Sequence, residues 1–261
     1  MNFDSIALHV PEILLPKSGI DLTKWAVVAC DQYTSEPEYW ERVKKFVGTA
    51  PSTANLIFPE VYLEQKGFDR ETLIKSINAH MQQYVEAGVL ESHGPGFVLV
   101  DRRTTHAASR KGLVVALDLE KYDYNTGSQT LIRATEGTVL DRIPPRVKIR
   151  ENAPIESPHI MVLIDDPGKT VIEPLFTKSL KKLYDFDLMM NSGHVAGYQV
   201  SEERLIQQVA QALERLADPK DKEVLLYAMG DGNHSLATAK AIWERLKEQA
   251  PDKKNVMNHP A

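Results

Sequence analysis

The sequence predicts an α/β to α+β fold, a mixed sheet flanked by helices. Short apolar runs of strand length are punctuated by turn residues, and amphipathic stretches of helical period lie between them. The two kinds alternate over most of the chain, which argues against a helix bundle or a sandwich. With 261 residues there is chain enough for one large unit or two small ones. No repeat, low-complexity tract or linker is evident, so residues 1–261 read as one compact unit, with about 1–125 and 126–261 as its two subdomains.

Taken in order, WAVVAC (25–30) is an apolar run that reads as a buried strand. In DQYTSEPEYWERVKKFV, Ser35 and Glu38 make an S-x-x-E capping box and Pro37 lies in the first turn, which predicts a helix through Val47. After the break GTAPST, the residues Leu73, Ile74, Ile77, Met81 and Tyr84 fall at helical spacing, with Gly88 as the C-terminal stop. GFVLVDRRT (96–104) and RKGLVVALDL (110–119) read as paired strands, and YNTGSQ (124–129) as a turn. HIMVLID (159–165) and EVLLYAM (223–229) read as further buried strands, the second preceded by a capped amphipathic helix, SEERLIQQVAQALERLA. After the second strand comes MGDGNHS (229–235), and then a helix, LATAKAIWERLKEQ.

Composition narrows the function classes. The net charge is −5 with cations scattered, a poor footprint for a protein that neutralises many phosphates, so no nucleic-acid partner is expected. No apolar run approaches the ~20 residues that span a bilayer, and the start has neither a basic leader nor a cleavage site, so neither membrane nor secretion is expected. The single cysteine, Cys30, allows no internal disulfide and fits a reducing, cytoplasmic setting.

Two suggestive stretches fail on inspection. DDPGKT (165–170) resembles the end of a P-loop, but the required earlier glycine is Leu163, and Pro167 removes an N–H from any phosphate nest. GDGNHS is half a dinucleotide fingerprint, yet Ser235 replaces its third glycine and no second strand with an acidic end follows, so NAD and flavin are not expected. The eight histidines show no ligand spacing for zinc.

The MGDGNHS junction is the strongest functional signal. Strand, glycine turn and helix together aim unpaired N–H groups and a helix dipole at one point, a seat for an anion. Gly230 and Gly232 let a ligand approach the backbone, and Ser235, Ala237, Thr238, Ala239 and Ala241 keep the first helical turns thin. The alternative is a plain cap, with Asp231 or Asn233 closing the helix and His234 bonded to the backbone. Upstream, residues 131–166 gather Arg133, Glu136, Arg142, Arg146, Lys148 and Arg150 around Pro144-Pro145, which should prevent a single regular helix from carrying them. That set is either a solvated basic face or a phosphate clamp with a carboxylate base. Asp31 and Gln32, after the first apolar run, are further pocket candidates.

These segments resemble a bacterial family known as domain of unknown function ten-fifteen, from WAVVACDQYTSEPEYW through TEGTVLDRIPPRVKIRENAPIESPHIMVLIDDP to GDGNHSLATAKA and NHPA. Family members usually carry Asp-Gly-His-His-Arg at the last glycine motif, which looks like the nucleotide-binding motif of the ParB, sulfiredoxin and free-serine-kinase superfamily. The resemblance implies a small mixed sheet whose motif helix holds nucleotide phosphates, with an upstream glutamate as base. Carried over, Asp231 and His234 match the motif, and Glu136 matches the base. Asn233 replaces the first histidine and Ser235 the arginine, so Arg142, Arg146 or Lys240 must supply the missing charge or turnover is lost. Sulfiredoxin chemistry is not implied, because Cys30 lies far from the motif. Members also continue past NHPA, so the chain reads as truncated relative to the family.

The resulting expectation is a phosphotransferase using ATP, ADP or CTP with Mg²⁺ on a small hydroxylated metabolite. Gly230, Gly232, Asn233 and Ser235 with Arg142 and Arg146 seat phosphate, Asp231 holds the metal or the acceptor hydroxyl, and Glu136 and His234 act in catalysis. The rival expectation is a nucleotide or metabolite sensor with the same seat and no chemistry.

Overall fold

The structure is a computed structural model that describes residues 1–63, 65–217, 224–251 and Val256. It is mixed α/β, with four small sheets among the described residues, flanked by helices. In chain order the elements are β1 (Asn2–Phe3), β2 (Leu8–His9), β3 (Glu12–Pro16), α1 (Leu22–Trp25), α2 (Pro37–Val47), α3 (Arg70–Glu86), β4 (Leu90–Pro95), β5 (Phe97–Arg103) and β6 (Arg110–Val114). There follow β7 (Ala116–Leu117), β8 (Tyr122–Asp123), β9 (Ile132–Arg133), α4 (Ile143–Arg150), β10 (Met161–Leu163), β11 (Lys182–Asp187), β12 (His194–Val200), α5 (Glu203–Leu216), β13 (Tyr227–Asp231) and α6 (Asn233–Gln249).

Two of the sheets position the polar clusters of the molecule. One is antiparallel, two hairpins side by side in the order β11-β12-β5-β6, with Val200 opposite Phe97 and Arg102 opposite Arg110. The other is mixed, in the order β10-β13-β9-β8, where β13 runs parallel to β9 and antiparallel to β10. The largest apolar cluster draws Ile6, Phe97, Leu99 and Tyr122 from the first half and Ile132, Val200, Leu213, Met229 and Trp243 from the second. Helix α5 seals it with Leu205, Ile206, Val209, Ala210, Ala212 and Leu213, an apolar stripe at 3.6-residue period.

Several expectations change. WAVVAC is not a strand: Trp25 closes the short helix α1, and residues 26–29 run on without regular structure. The run is apolar because it packs irregularly, Val27 and Val28 against the Tyr39–Trp40 cluster and Trp25 against α3. HIMVLID supplies only a three-residue edge strand, with Met161 and Leu163 exposed rather than buried. In EVLLYAM, Glu223 lies outside the described residues and the strand begins only at Tyr227; NHPA also lies outside them. Helix α2 ends at Val47 as expected, but Ser35 makes no cap, and α5 likewise starts at Glu202 without a side-chain cap. The paired strands at 97–103 and 110–114 and the helix at 70–86 agree with the sequence reading.

Candidate functional site

β13 delivers the chain to the junction and stops at Asp231. Gly232 then takes φ +82°, a left-handed conformation that an L side chain adopts only with strain. A Cβ there would also lie 3.2 Å from the Ile160 backbone, so the turn requires glycine on two counts. The Gly232 carbonyl accepts the Ser235 and Leu236 N–H groups, both at 3.0 Å. The N–H groups of Asn233 and His234 are left without intrahelical acceptors at the positive end of α6. No side chain caps this helix: Asp231 Oδ1 instead accepts the N–H of its neighbour Gly232 at 2.8 Å. Gly230 has a packing role, since a Cβ would meet the Leu163 side chain from β10 at 2.9 Å.

The segment after β9 folds over this helix start. Thr135 Oγ1 donates to the Met229 carbonyl at 2.5 Å, Asn233 Nδ2 to the Glu136 carbonyl at 3.4 Å, and the Val139 N–H to His234 Nε2 at 3.2 Å. Because that ring nitrogen accepts, the neutral imidazole carries its proton on Nδ1. Burial, and then the positive charges of Arg146 and Arg142, hold the His234 pKa below its usual value, with Glu136 and Glu60 opposing. Arg142, Arg146, Glu136 and Glu60 therefore share one electrostatic neighbourhood with His234.

The cations divide by what they already hold. Arg133 braces the chain, donating to the Thr130 and Val224 carbonyls at 2.7 and 2.9 Å. Arg150 bridges the Ser235 carbonyl and Glu156. Arg146 grips Glu60 Oε1 through Nε at 2.9 Å and through Nη2, while its Nη1 holds the Arg142 carbonyl at 2.8 Å. Lys240 pairs with Glu244 at 2.6 Å. Of the three sources named for the missing motif charge, the Arg142 guanidinium has no hydrogen-bond or ion-pair partner among the described residues, and the residue is exposed. Pro144 and Pro145 do not break the segment; they sit in the first turn of α4, where a missing N–H costs nothing, so Arg146, Lys148 and Arg150 do ride on one helix.

The thin face of α6 also finds a different use. Ala237 is fully buried against Ile143 and Val147, so small residues let α4 dock closely on α6. Ser235 is buried as well, with its hydroxyl 2.7 Å from His159 Nε2. His159 Nδ1 faces the Ser157 carbonyl at 3.0 Å and must be the donor there, so Nε2 accepts from Ser235. Asn233 is 5% exposed, and its Oδ1 has no partner among the described residues; Thr138 Oγ1 in the overlying segment is another buried polar atom without one among them. Such orphans are uncommon and point to a bound water or ligand group.

The first third of the chain reaches the same place. The Glu60 N–H donates to the Cys30 carbonyl at 2.8 Å, tying the 29–36 loop to the Glu60–Arg146 pair. Cys30 is pushed up to about 12 by burial and then by Asp31 and Glu60, with Arg146 opposing, so it is an inert thiol. Asp31 thus stands beside this cluster, and Gln32 turns its amide to the Asp31 carboxylate at 3.3 Å. Glu60 escaped the sequence reading; its one signal is a lone acid after Pro59 inside the apolar stretch IFPEVY. Asp231, Glu136, His234, Asn233, Arg142 and Arg146 cluster around the start of α6 through sequence-distant segments, although Asp231 keeps its carboxylate on its own turn.

Among the described residues there is no group of three or more His, Cys, Asp or Glu placed to hold a metal ion. A Mg²⁺ at Asp231 would draw its remaining ligands from water and substrate phosphates, the usual habit of that ion. No helix among the described residues is long and apolar enough to cross a membrane.

No curated protein and no solved structure matches the chain. One family model does, over residues 14–261, nearly the whole length. The chain belongs to the family described as Protein of unknown function (DUF1015).

Proposed function

We propose that the start of α6 seats nucleotide phosphate and that the chain transfers a phosphoryl group to a small hydroxylated metabolite. The observation that carries this reading is the convergence of Arg142, Arg146, Glu136 and Glu60 on His234 at an uncapped helix N-terminus. The unpaired N–H groups of Asn233 and His234 and the unpartnered Arg142 guanidinium bind the phosphate oxygens. ATP, ADP or CTP with Mg²⁺ would supply the phosphoryl group, with Asp231 as the protein's metal ligand. The exposed Glu136 carboxylate takes the hydroxyl proton, and the depressed His234 stays neutral and offers Nδ1–H as a donor. The ParB/sulfiredoxin-like character of this strand-turn-helix belongs to the same proposal.

The test is thermal shift and nucleotide consumption with Mg²⁺ and each of ATP, ADP and CTP, over a panel of hydroxylated metabolites. One nucleotide should raise Tm, and Arg142→Gln should abolish that rise. Glu136→Gln should keep the rise and lose turnover by at least about 100-fold. The absence of any rise with all three nucleotides would refute the seat. A second reading, a nucleotide or metabolite sensor, draws on the hydrogen bond that closes His234 Nε2 and on the burial of Ser235 where the family carries arginine. Under it, the rise persists without consumption.

A further inference from the structure

At the opposite end of the 29–36 loop, a different group of polar atoms lies buried with few partners. Tyr39 on α2 is 2% exposed. The Ser192 hydroxyl, in the turn between β11 and β12, faces that phenol as its side-chain partner, and neither oxygen has another among the described residues. Arg102 on β5 makes one long bond, from Nη2 to the Ser192 carbonyl at 3.4 Å, and its buried Nε–H has no acceptor. Its guanidinium has no carboxylate partner among the described residues. Burying a charged donor without an acceptor beside two hydroxyls that have only each other is costly, and native proteins seldom leave such groups so.

The surroundings select the sign of the occupant. The charged side chain acting on the Tyr39 phenol is another cation, Arg42. Arg102 faces Arg110 across the strand pair, and Asp101 is spent on Ser109 at 2.6 Å and on Arg103. The Trp40 indole N–H, next on α2, is a further buried donor without an acceptor. Over Tyr39 lies Tyr33, its ring stacked at 3.9 Å between centroids and 40% exposed, as a cover open to solvent.

We propose that Arg102, Ser192 and Tyr39 form a second binding site, which takes a small oxyanion, a carboxylate or a phosphate. The guanidinium supplies Nε–H and charge, and the hydroxyl pair turns its free O–H to a second oxygen, with Tyr33 stacked on the Tyr39 ring beside it. The site is separate from the α6 seat in composition, because none of its residues contacts His234. The two share the 29–36 loop, with Cys30 and Asp31 beside Glu60 and Tyr33 on Tyr39.

The experiment is a crystal soak of the full chain in inorganic phosphate and, separately, in acetate, together with titration calorimetry of each anion. The expected result is an oxyanion within hydrogen-bond distance of Arg102 Nε and of the hydroxyl pair. Measured in an Arg142→Gln background, which removes the α6 seat, binding should persist and should weaken by about tenfold or more when Arg102→Gln is added, the loss expected for a charged hydrogen bond. Ser192→Ala, which leaves the guanidinium and its packing in place, carries the same expectation should Arg102→Gln fail to fold. Whichever anion binds names the ligand class. An ordered water on Arg102 Nε under both soaks, or an affinity that Arg142→Gln abolishes and Ser192→Ala leaves intact, overturns the proposal.

Discussion

His194 and His234 occupy matching places, each at the entry to a regular element, and their charges are set in opposite directions. His194 opens β12 between two carboxylates, with Nδ1 at 2.7 Å from Asp187 and Nε2 at 2.8 Å from Asp185. Asp187 first and Asp185 second raise its pKa above the usual value despite some burial, and Lys182 completes the cluster through Asp185. His234 opens α6 among Arg146 and Arg142, and burial with those cations lowers its pKa. A histidine pinned by two acids, which favour its charged form, serves as a surface clasp for a hairpin. A neutral one beside unpaired N–H groups leaves positive potential undischarged, and that is the condition an incoming anion needs.

The largest expected effect separates the two turns themselves. Gly193, in the hairpin before His194, has φ +99° and would place a Cβ 2.0 Å from the Arg103 carbonyl oxygen. Gly193→Ala should therefore cost at least about 3 kcal/mol in a urea melt, since the backbone itself must move. Gly232→Ala meets only left-handed strain and 3.2 Å contacts, and should cost about 1–2 kcal/mol. If the order were reversed, the α6 turn would be the more rigid of the two.

Next in size is the Arg146–Glu60 pair, whose side chains are 11% and 19% exposed. Arg146→Ala strands a largely buried carboxylate and should destabilise by about 3 kcal/mol. The same variant removes the stronger of the two cations acting on His234, so its imidazole pKa by NMR should rise toward the ordinary value. An unchanged titration would show that Arg146 does not contribute, leaving burial and Arg142 to set it. Lys240→Ala, at a more exposed i,i+4 pair, should change stability by less than about 1 kcal/mol.

The smallest effects are the two pH dependences, and they run oppositely. The His194 pKa is raised on folding, so its stabilisation is full below about 6.5, the unfolded value, and is lost as pH rises through the folded pKa. The His234 pKa is lowered, so its contribution holds above about 6.5 and is lost as pH falls through the folded pKa. Relative to wild type, His194→Gln should close its stability gap as pH rises, and His234→Gln should close its gap as pH falls. Chemical denaturation at pH 5, 7 and 9 reads both, and slopes of the same sign would contradict the assignment.

Legibility differed by element. Helices α3, α5 and α6 were plain from their 3.6-residue apolar stripes, and the β5–β6 pair from its two apolar runs across a polar turn. Strands β11 and β12 went unread because KLYDFD and HVAGYQV mix charge and glycine into strands that expose one face, with Gly197 giving way to the Tyr184 ring. WAVVAC misled because apolarity records burial rather than backbone conformation. At the site, Arg142 and Arg146 stand out by type and spacing, and Asp231, Glu136 and His234 take their roles from the family resemblance, whereas Glu60 carries no spacing to anything it meets; its partner Arg146 is 86 residues away.

The sequence alone determined the local chemistry: a strand, a left-handed glycine and a helix start at 230–233, which follow from backbone sterics and apolar period within a few residues. It also determined the family, since residues 14–261 match its model. Only the tertiary structure decided which cations were committed and which was open, and where buried donors lacked acceptors. Those facts are sums over neighbours from distant segments, and electrostatics and hydrogen-bond satisfaction depend on distance in space rather than in sequence.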